Sequence, residues 1–198
     1  MTIPGSANPL LLASAAEAGA YAIERSVRFN SADSAYLSRT PASAGNRKTW
    51  TWSGWVKLGN MPSTYGVFAA STSSSDYTSI YFQDQTLKVE DYTGGGQYAS
   101  AQVFRDPSAW YHVILSIDTT QATTANRVLL YVNGTLASWG TSANWSQNLD
   151  TRINSTYSHV IGALYSHSPT SLPFSGYLAD IHFIDGQALD PTSFGEFD

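Results

Sequence analysis

The chain has 198 residues, of which 42% are hydrophobic and 13% are charged, with a formal net charge of -5 and no cysteine. This length suits one domain with a sizeable core, or one domain plus a short arm. The absence of cysteine excludes a disulfide framework, a thiolate metal site and a cysteine nucleophile. The acidic balance, with 10 scattered Lys and Arg residues, argues against nucleic acid or a membrane surface as the partner.

The first 24 residues differ in composition from the rest of the chain. Pro4 and Pro9 interrupt any helix or strand there, and Leu10, Leu11 and Leu12 follow directly. Leucines in succession suit a solvated tail poorly, so we favour an assembly arm that buries them against a neighbouring subunit over a frayed terminus. The apolar run is short and lacks a preceding basic residue, which predicts no secretion signal. We expect an arm at 1–24 and one domain at 25–198.

Short β-strand patterns recur from Ser26 onward at intervals of about ten residues, with turn residues between them. No segment shows sustained helical periodicity, and Asn133-Gly134 fits a tight hairpin turn. This pattern predicts an all-β antiparallel sandwich of about a dozen strands. The main predicted strands are 26–29, 36–38, 50–58, 65–70, 79–83, 86–92, 97–104, 110–118, 127–132, 159–164 and 177–184.

Aromatic side chains divide into predicted core residues and predicted binding residues. Trp50, Trp52 and Trp110 fall in strands and are assigned to the core. Segments 119–126 and 141–157 are predicted loops, and long ordered loops on a sandwich often bind ligands. Aromatic rings beside amides suit glycans, although aromatic rings also cap core ends. The predicted glycan-binding residues are Trp139, Asn144, Trp145, Tyr157 and Tyr165, with Tyr92 and Tyr98 offering a second surface.

Four stretches in the right order resemble the laminin-G-like domains of the concanavalin A-type jelly rolls. They are residues 27–30 (VRFN) with 33–37 (DSAYL), residues 52–57 (WSGWVK), residues 110–113 (WYHV) with 128–134 (VLLYVNG), and residues 174–181 (FSGYLADI) with Asp185-Gly186. The resemblance covers about residues 26–186. It implies a two-sheet antiparallel jelly-roll sandwich, here preceded by an extended N-terminal arm.

The arm and residues 189–195 (LDPTSFG) further resemble single-domain virion proteins of tailed bacteriophages. This resemblance implies a non-enzymatic virion structural protein, as capsid decoration, head fibre or tail component, whose lectin-like domain binds host-surface glycans. It implies other virion proteins as partners, a homo-oligomer with a trimer as the expected form, and assembly in the host cytoplasm. A secreted bacterial carbohydrate-binding module, monomeric and independent of its first 24 residues, is the alternative.

A glycoside hydrolase of the same superfamily is a further alternative. Retaining hydrolases place two carboxyl groups about 5 Å apart. Glu90 and Asp91 are adjacent, so on a strand they point to opposite faces, and the chain has no closely spaced Glu-x-Asp-x-Glu array. The sequence therefore predicts no enzyme activity.

Calcium is the one cofactor that the resemblance implies, because members of this superfamily often hold it near the binding edge. The corresponding oxygen ligands are Asn30, Asp33 and Asp180. The alternative is that Asp33 closes an Asx turn and that Asp180 pairs with an arginine or a backbone amide.

Overall fold

The computed structural model describes residues 23–59 and 64–195. Leu10, Leu11 and Leu12 of the predicted arm lie outside the described residues. The strands are β1 (Val27–Phe29), β2 (Leu37–Arg39), β3 (Thr49–Leu58), β4 (Tyr65–Ser73), β5 (Asp76–Gln83), β6 (Thr86–Asp91), β7 (Gly96–Val103), β8 (Tyr111–Asp118), β9 (Val128–Val132), β10 (Thr135–Ala137), β11 (Trp139–Thr141), β12 (His159–Ile161) and β13 (Gly176–Asp185). Short 3-10 helices cover Ser31–Asp33, Thr124–Asn126 and Pro191–Ser193.

Two antiparallel sheets face each other, which confirms the predicted jelly-roll sandwich. One sheet has six strands in the order β1-β13-β3-β8-β9-β10, and the other has seven in the order β11-β7-β6-β5-β4-β12-β2. Asn133 and Gly134 both have positive φ angles, 49° and 77°, as a tight hairpin turn with two left-handed residues requires. None of the described helices is long and apolar enough to cross a membrane.

Strand β3 shows how alternation builds the core. Trp50, Trp52 and Val56 are at most 1% exposed and lie between the sheets, where burial of each large apolar side chain contributes roughly 1.5–3 kcal/mol. Thr51, on the opposite face, is buried as well. Its hydroxyl donates to the Gln187 carbonyl at 2.7 Å and accepts from the Leu189 amide at 2.8 Å. The segment after β13 therefore covers the outside of the six-stranded sheet.

Trp110 is a correction to the predicted core. It is only partly buried, and its ring lies 6.4 Å from that of Tyr177. In β8 the side chain of Val113 points into the core and that of His112 points outward. Trp110 lies two residues before His112, so the period of two places it on the outer face.

Candidate functional site

The outer face of the seven-stranded sheet carries a group of tyrosines around one carboxylate. In β5, Ile80 packs into the core, so the alternating positions of Tyr77, Ser79 and Tyr81 face outward. The register pairs Ser79 with Glu90 on β6. We call this part of the outer surface the tyrosine face and define it by Tyr77, Tyr81, Glu90, Tyr92, Gln97 and Tyr165.

Tyr81 and Glu90 form the polar centre of the tyrosine face. The Tyr81 hydroxyl donates to Glu90 Oε2 at 2.8 Å and accepts a hydrogen bond from the Gln97 side-chain amide. Burial, followed by the nearby Glu90 carboxylate, raises the pKa of both Tyr77 and Tyr81 well above the usual tyrosine value. Both hydroxyls therefore stay protonated at neutral pH and act as hydrogen-bond donors.

Two tyrosine rings extend the tyrosine face toward solvent. Tyr92 is 54% exposed, and its ring centroid lies 5.3 Å from that of Tyr77. Tyr165 is partly exposed and meets Tyr77 edge-on, with centroids 5.0 Å apart and an interplanar angle of 74°. Tyr77 itself is 5% exposed. The buried tyrosine thus supports two rings that a ligand can reach.

Hydrogen bonds to β4 fix the segment that presents Tyr165. The Ser71 amide donates to Ser166 Oγ at 2.7 Å, and the Ser71 hydroxyl lies 2.9 Å from His167 Nδ1. The His167 ring also packs against Tyr165 at a tilt, with ring centroids 5.3 Å apart. The position of the Tyr165 ring is therefore set by contacts on the two residues that follow it.

The carboxylates of β6 point to opposite sides of the sheet, as adjacency predicts. Asp91 is fully buried and accepts from the Thr78 hydroxyl, whereas Glu90 accepts from Tyr81 on the outer face. In the described strands β4 to β7, Glu90 is the one carboxylate on the tyrosine face. The tyrosine face therefore groups hydroxyl-binding side chains around one carboxylate, whereas most glycoside hydrolases use two.

Trp145 is not a surface stacking residue, contrary to the prediction. It is 0% exposed, and its Nε1 donates to the Gly96 carbonyl at 2.9 Å. A Cβ atom at Gly95 would lie 2.4 Å from the indole ring, so this glycine allows the ring to pack beneath the β6–β7 turn. Trp145 therefore anchors the 142–158 segment to the sandwich.

The remaining predicted glycan-binding residues are dispersed. Trp139 donates from Nε1 to the Val128 carbonyl at 2.9 Å and packs on the buried Tyr98 ring. Asn144 is exposed beside Trp145. Tyr157 contacts Asp76; burial alone would raise the pKa of that carboxyl, but hydrogen bonds from Thr72 and Arg152, and to a smaller extent from Tyr157, hold it below its ordinary value. Tyr165 lies in the tyrosine face, together with Tyr92 of the predicted second surface, whose other member, Tyr98, is buried.

The structure does not bring the three predicted calcium ligands together. Val27 pairs with Leu178; Asn30 lies three residues beyond Val27, and Asp180 lies two residues beyond Leu178 in the opposite direction. Asn30 and Asp180 are therefore five residues apart along the strand direction, which at about 3.3 Å per residue places them roughly 17 Å from each other. No cluster of three or more His, Cys, Asp or Glu side chains that could hold a metal occurs within residues 23–59 and 64–195.

The predicted calcium ligands have other partners. Asn30 caps the first 3-10 helix, because its Oδ1 accepts from the Ala32 amide at 3.2 Å and its Nδ2 donates to Asp33 Oδ2 at 2.8 Å. Asn30, rather than Asp33, therefore closes the Asx turn. Asp180 lies 3.0 Å from His182 Nε2.

Tyr77, Tyr81, Glu90 and Gln97 were not among the predicted site residues, although the sequence carries their signal. The pattern Tyr77-Thr-Ser79-Ile-Tyr81-Phe alternates polar aromatic and apolar positions. The predicted strand began at Ser79, which left Tyr77 in a turn and hid the alternation. The pairing of β5 with β6, which joins Tyr81 to Glu90, depends on register and cannot be derived from either strand alone.

A cavity of about 600 Å³ lies at the sandwich edge beside β12. Its polar side chains already bind protein atoms. His159 Nε2 accepts from the Asn154 amide at 2.8 Å, and its Nδ1 lies 2.8 Å from the Tyr157 carbonyl, to which it donates. Asn154 Nδ2 donates to Asp185 Oδ1 at 2.6 Å. These polar groups therefore have fewer free hydrogen-bonding positions for a ligand than the tyrosine face has.

Comparisons with known proteins agree with the fold. The profile of the concanavalin A-like lectin/glucanases superfamily matches residues 30–193. No curated protein sequence matches the chain.

Among solved structures, laminin alpha1 domains LG4-5 from mouse match with a TM-score of 0.59 and 14% identity, over 89% of this chain and 46% of that one. The CBM40 module of a Ruminococcus gnavus sialidase, bound to alpha2,3 sialyllactose, matches with a TM-score of 0.53 and 12% identity, over 79% and 95%. A heptameric SAP-like pentraxin from Limulus polyphemus matches with a TM-score of 0.52 and 18% identity, over 75% and 68%. At these identities the three structures show the fold alone.

Proposed function

Because the chain belongs to the concanavalin A-like lectin/glucanase superfamily, we propose that it is a non-enzymatic glycan-binding domain that uses the tyrosine face. The observation that carries this proposal is the position of Tyr92 and Tyr165 beside the Tyr81–Glu90 hydrogen bond. Exposed rings offer apolar faces to the C–H side of a sugar, and Glu90 and Gln97 bind its hydroxyl groups. The CBM40 neighbour bound to sialyllactose supports this use of the fold.

The tyrosine face predicts weak binding by a single copy. Its rings lie on a sheet surface rather than in an enclosed cavity, and only Tyr92 among them is more than half exposed. A domain of this kind becomes effective when several copies bind one surface together, since linked sites raise avidity by about 10²–10⁴. We therefore propose that the domain works as a homo-oligomer, with a trimer as the form to test first.

The proposed carrier of these copies is a bacteriophage particle, assembled in the host cytoplasm, on which the domain is a capsid decoration, head fibre or tail component that binds host-surface glycans. This part of the proposal rests on the resemblance of residues 1–24 and 189–195 to phage virion proteins. A secreted carbohydrate-binding module would share the tyrosine face but act as a monomer. Light scattering on the full chain distinguishes the two: an oligomer supports the particle proposal, and a monomer favours the secreted module.

The test of glycan binding is a glycan array probed with the full chain and four variants. Y92A, Y165A and E90Q each alter the tyrosine face, and we expect each to reduce binding to every glycan that the native chain retains. Y36A is the matched control, since Tyr36 is 42% exposed and lies next to β2 at the edge of the sheet. Equal retention by Y36A and Y165A would contradict the proposed site, and the absence of any bound glycan would contradict the proposed function.

A further inference from the structure

The sandwich is open at the edge where β1 and β2 lie, and we propose that Leu10, Leu11 and Leu12 of the same chain fill this opening. The edge groove is defined by Val27, Phe29, Leu37, Ile161, Leu178 and Ile181. It encloses about 470 Å³. The proposal concerns a surface separate from the tyrosine face and does not depend on glycan binding.

Two side chains of the edge groove point into the space between the sheets and are nevertheless exposed. Val27 pairs with Leu178, so both point to the same face, yet Leu178 is 2% exposed and Val27 is 51% exposed. Leu37 pairs with Ile161, which in turn packs against the core, and Leu37 is 53% exposed. Inner-face positions of a sandwich are normally covered by the opposite sheet. At this edge, the described residues leave them uncovered.

The two strands of this edge are also the last strands of their sheets. β1 pairs only with β13 and β2 only with β12 among the described strands. Natural proteins protect such edges with charges, prolines or a covering segment, because exposed apolar edges lead to aggregation. β1 and β2 are three residues long and carry Arg28 and Arg39, which protects the backbone edge from pairing with another strand. The apolar side chains of Val27 and Leu37 nevertheless stay about half exposed, and a covering segment would bury them.

The chain itself supplies a segment of matching chemistry at the matching place. Residues 1–16 contain no charged side chain and include the three consecutive leucines. The described part of the chain begins at Ile23, and Arg25 and Ser26, three residues or fewer further on, line the edge groove. The 12 residues between Leu12 and Arg25 reach at most about 40 Å when extended, which is ample for Leu12 to return to the edge groove.

The short connection favours the three leucines of the same chain over those of a second copy. A short connection gives the tethered segment a local concentration in about the millimolar range. A second copy offers an identical segment at its bulk concentration, which is micromolar in a dilute solution. We therefore assign residues 10–12 to the groove of their own domain, and burial against a neighbouring subunit, which the sequence suggested, is the alternative that the test below distinguishes.

Disulfide trapping tests the proposal, because the native chain has no cysteine to interfere. L37C is combined with L10C, L11C or L12C in the full chain, and each pair is oxidised mildly at micromolar protein concentration. Paired cysteines need Cβ atoms about 3.5–4.5 Å apart. The matched control replaces L37C by L136C, since Leu136 is 59% exposed on β10, which ends the six-stranded sheet at the edge opposite β1. Non-reducing gels and mass spectrometry identify the product.

We expect at least one L37C pair to form an intramolecular disulfide while the L136C pairs remain reduced. Disulfide-linked dimers through L37C would overturn the proposal in favour of a second copy. Cross-linking that is equal for L37C and L136C, or absent from both, would overturn it as well.

A second measurement does not depend on forming a disulfide. The thiol of the single variant L37C is labelled with a maleimide in the full chain and in a full chain that also carries L10S, L11S and L12S. We expect labelling to be roughly tenfold slower when the leucines are present, because an occupied groove must open before the thiol reacts. Equal labelling rates, with unchanged circular dichroism in both proteins, would overturn the proposal.

Discussion

The Tyr81 hydroxyl donates a 2.8 Å hydrogen bond to Glu90 on the neighbouring strand. Gln97 donates to the same hydroxyl from the third strand, β7. A single phenolic oxygen therefore connects three strands on the outer face of the sheet. Its burial, together with the adjacent carboxylate, keeps it protonated, so the orientation of Glu90 is fixed before any ligand arrives.

Removal of this hydroxyl tests the role of the connection. In Y81F the ring remains, but Glu90 loses a donor and Gln97 loses an acceptor. We expect the free energy of unfolding to fall by about 1–3 kcal/mol, since hydrogen bonds to charged groups are stronger than neutral ones, and glycan retention to fall with it. Urea unfolding and the glycan array measure the two effects. Y36F is the control, and a Y81F protein that matches it in both measurements would show that the connection has no such role.

The contact between Gly95 and Trp145 gives a second prediction. G95A places a Cβ atom 2.4 Å from the indole, so either the ring or the turn must move, and overpacking of this kind costs about 1–3 kcal/mol. At Gly94 the added Cβ would meet only the end of the Leu149 side chain, at 2.7 Å. We therefore expect thermal unfolding to begin at a lower temperature for G95A than for G94A. The same midpoint for both would contradict the packing argument.

Local patterns were sufficient to predict the sandwich and most of its strands, because alternation in β3 and the Asn133-Gly134 turn depend on neighbouring residues. They missed the short strands β10 and β11 and the start of β5. The site residues were harder to predict from the sequence. Trp145 lies in a polar loop sequence, and its burial follows from contact with Gly95, some fifty residues earlier in the chain. The Tyr81–Glu90 pair likewise follows from the register between strands. Contacts of this range are set by the whole fold, so the sequence analysis named only Tyr92 and Tyr165 among the residues of the tyrosine face.

Thr151 gives a third prediction, on the attachment of the 142–158 segment. Its hydroxyl accepts from the buried Trp50 Nε1 at 3.1 Å and donates to the Arg47 carbonyl at 2.8 Å. T151V keeps the shape but leaves the buried indole N–H without this acceptor, which costs about 1–3 kcal/mol. Urea unfolding followed by tryptophan fluorescence measures the loss. T141V, at an exposed threonine of β11, is the control; equal stability of the two variants would refute the prediction.

Two buried histidines give the pH dependence of stability. Burial lowers the pKa of His112 and of His159 below the ordinary value of 6.5. The unfolded chain therefore binds more protons than the folded chain as the pH falls below 6.5. Stability is fully present above that pH and decreases toward the lowered folded-state pKa, by at most about 1.4 kcal/mol per pH unit for each group.

Urea midpoints at pH 7.5 and pH 5.0 measure this dependence for the native chain, for H159Q and for H167Q. His159 is buried, whereas His167 is exposed. The glutamine at 159 does not titrate in this range, so we expect a smaller difference between the two midpoints in H159Q than in the native chain, even though H159Q is less stable at both pH values. H167Q controls for the loss of a histidine at the surface. The prediction fails if the native protein has the same urea midpoint at both pH values. It also fails if the difference between the two midpoints is the same in H159Q as in the native chain, since His159 would then titrate alike in the folded and unfolded chain.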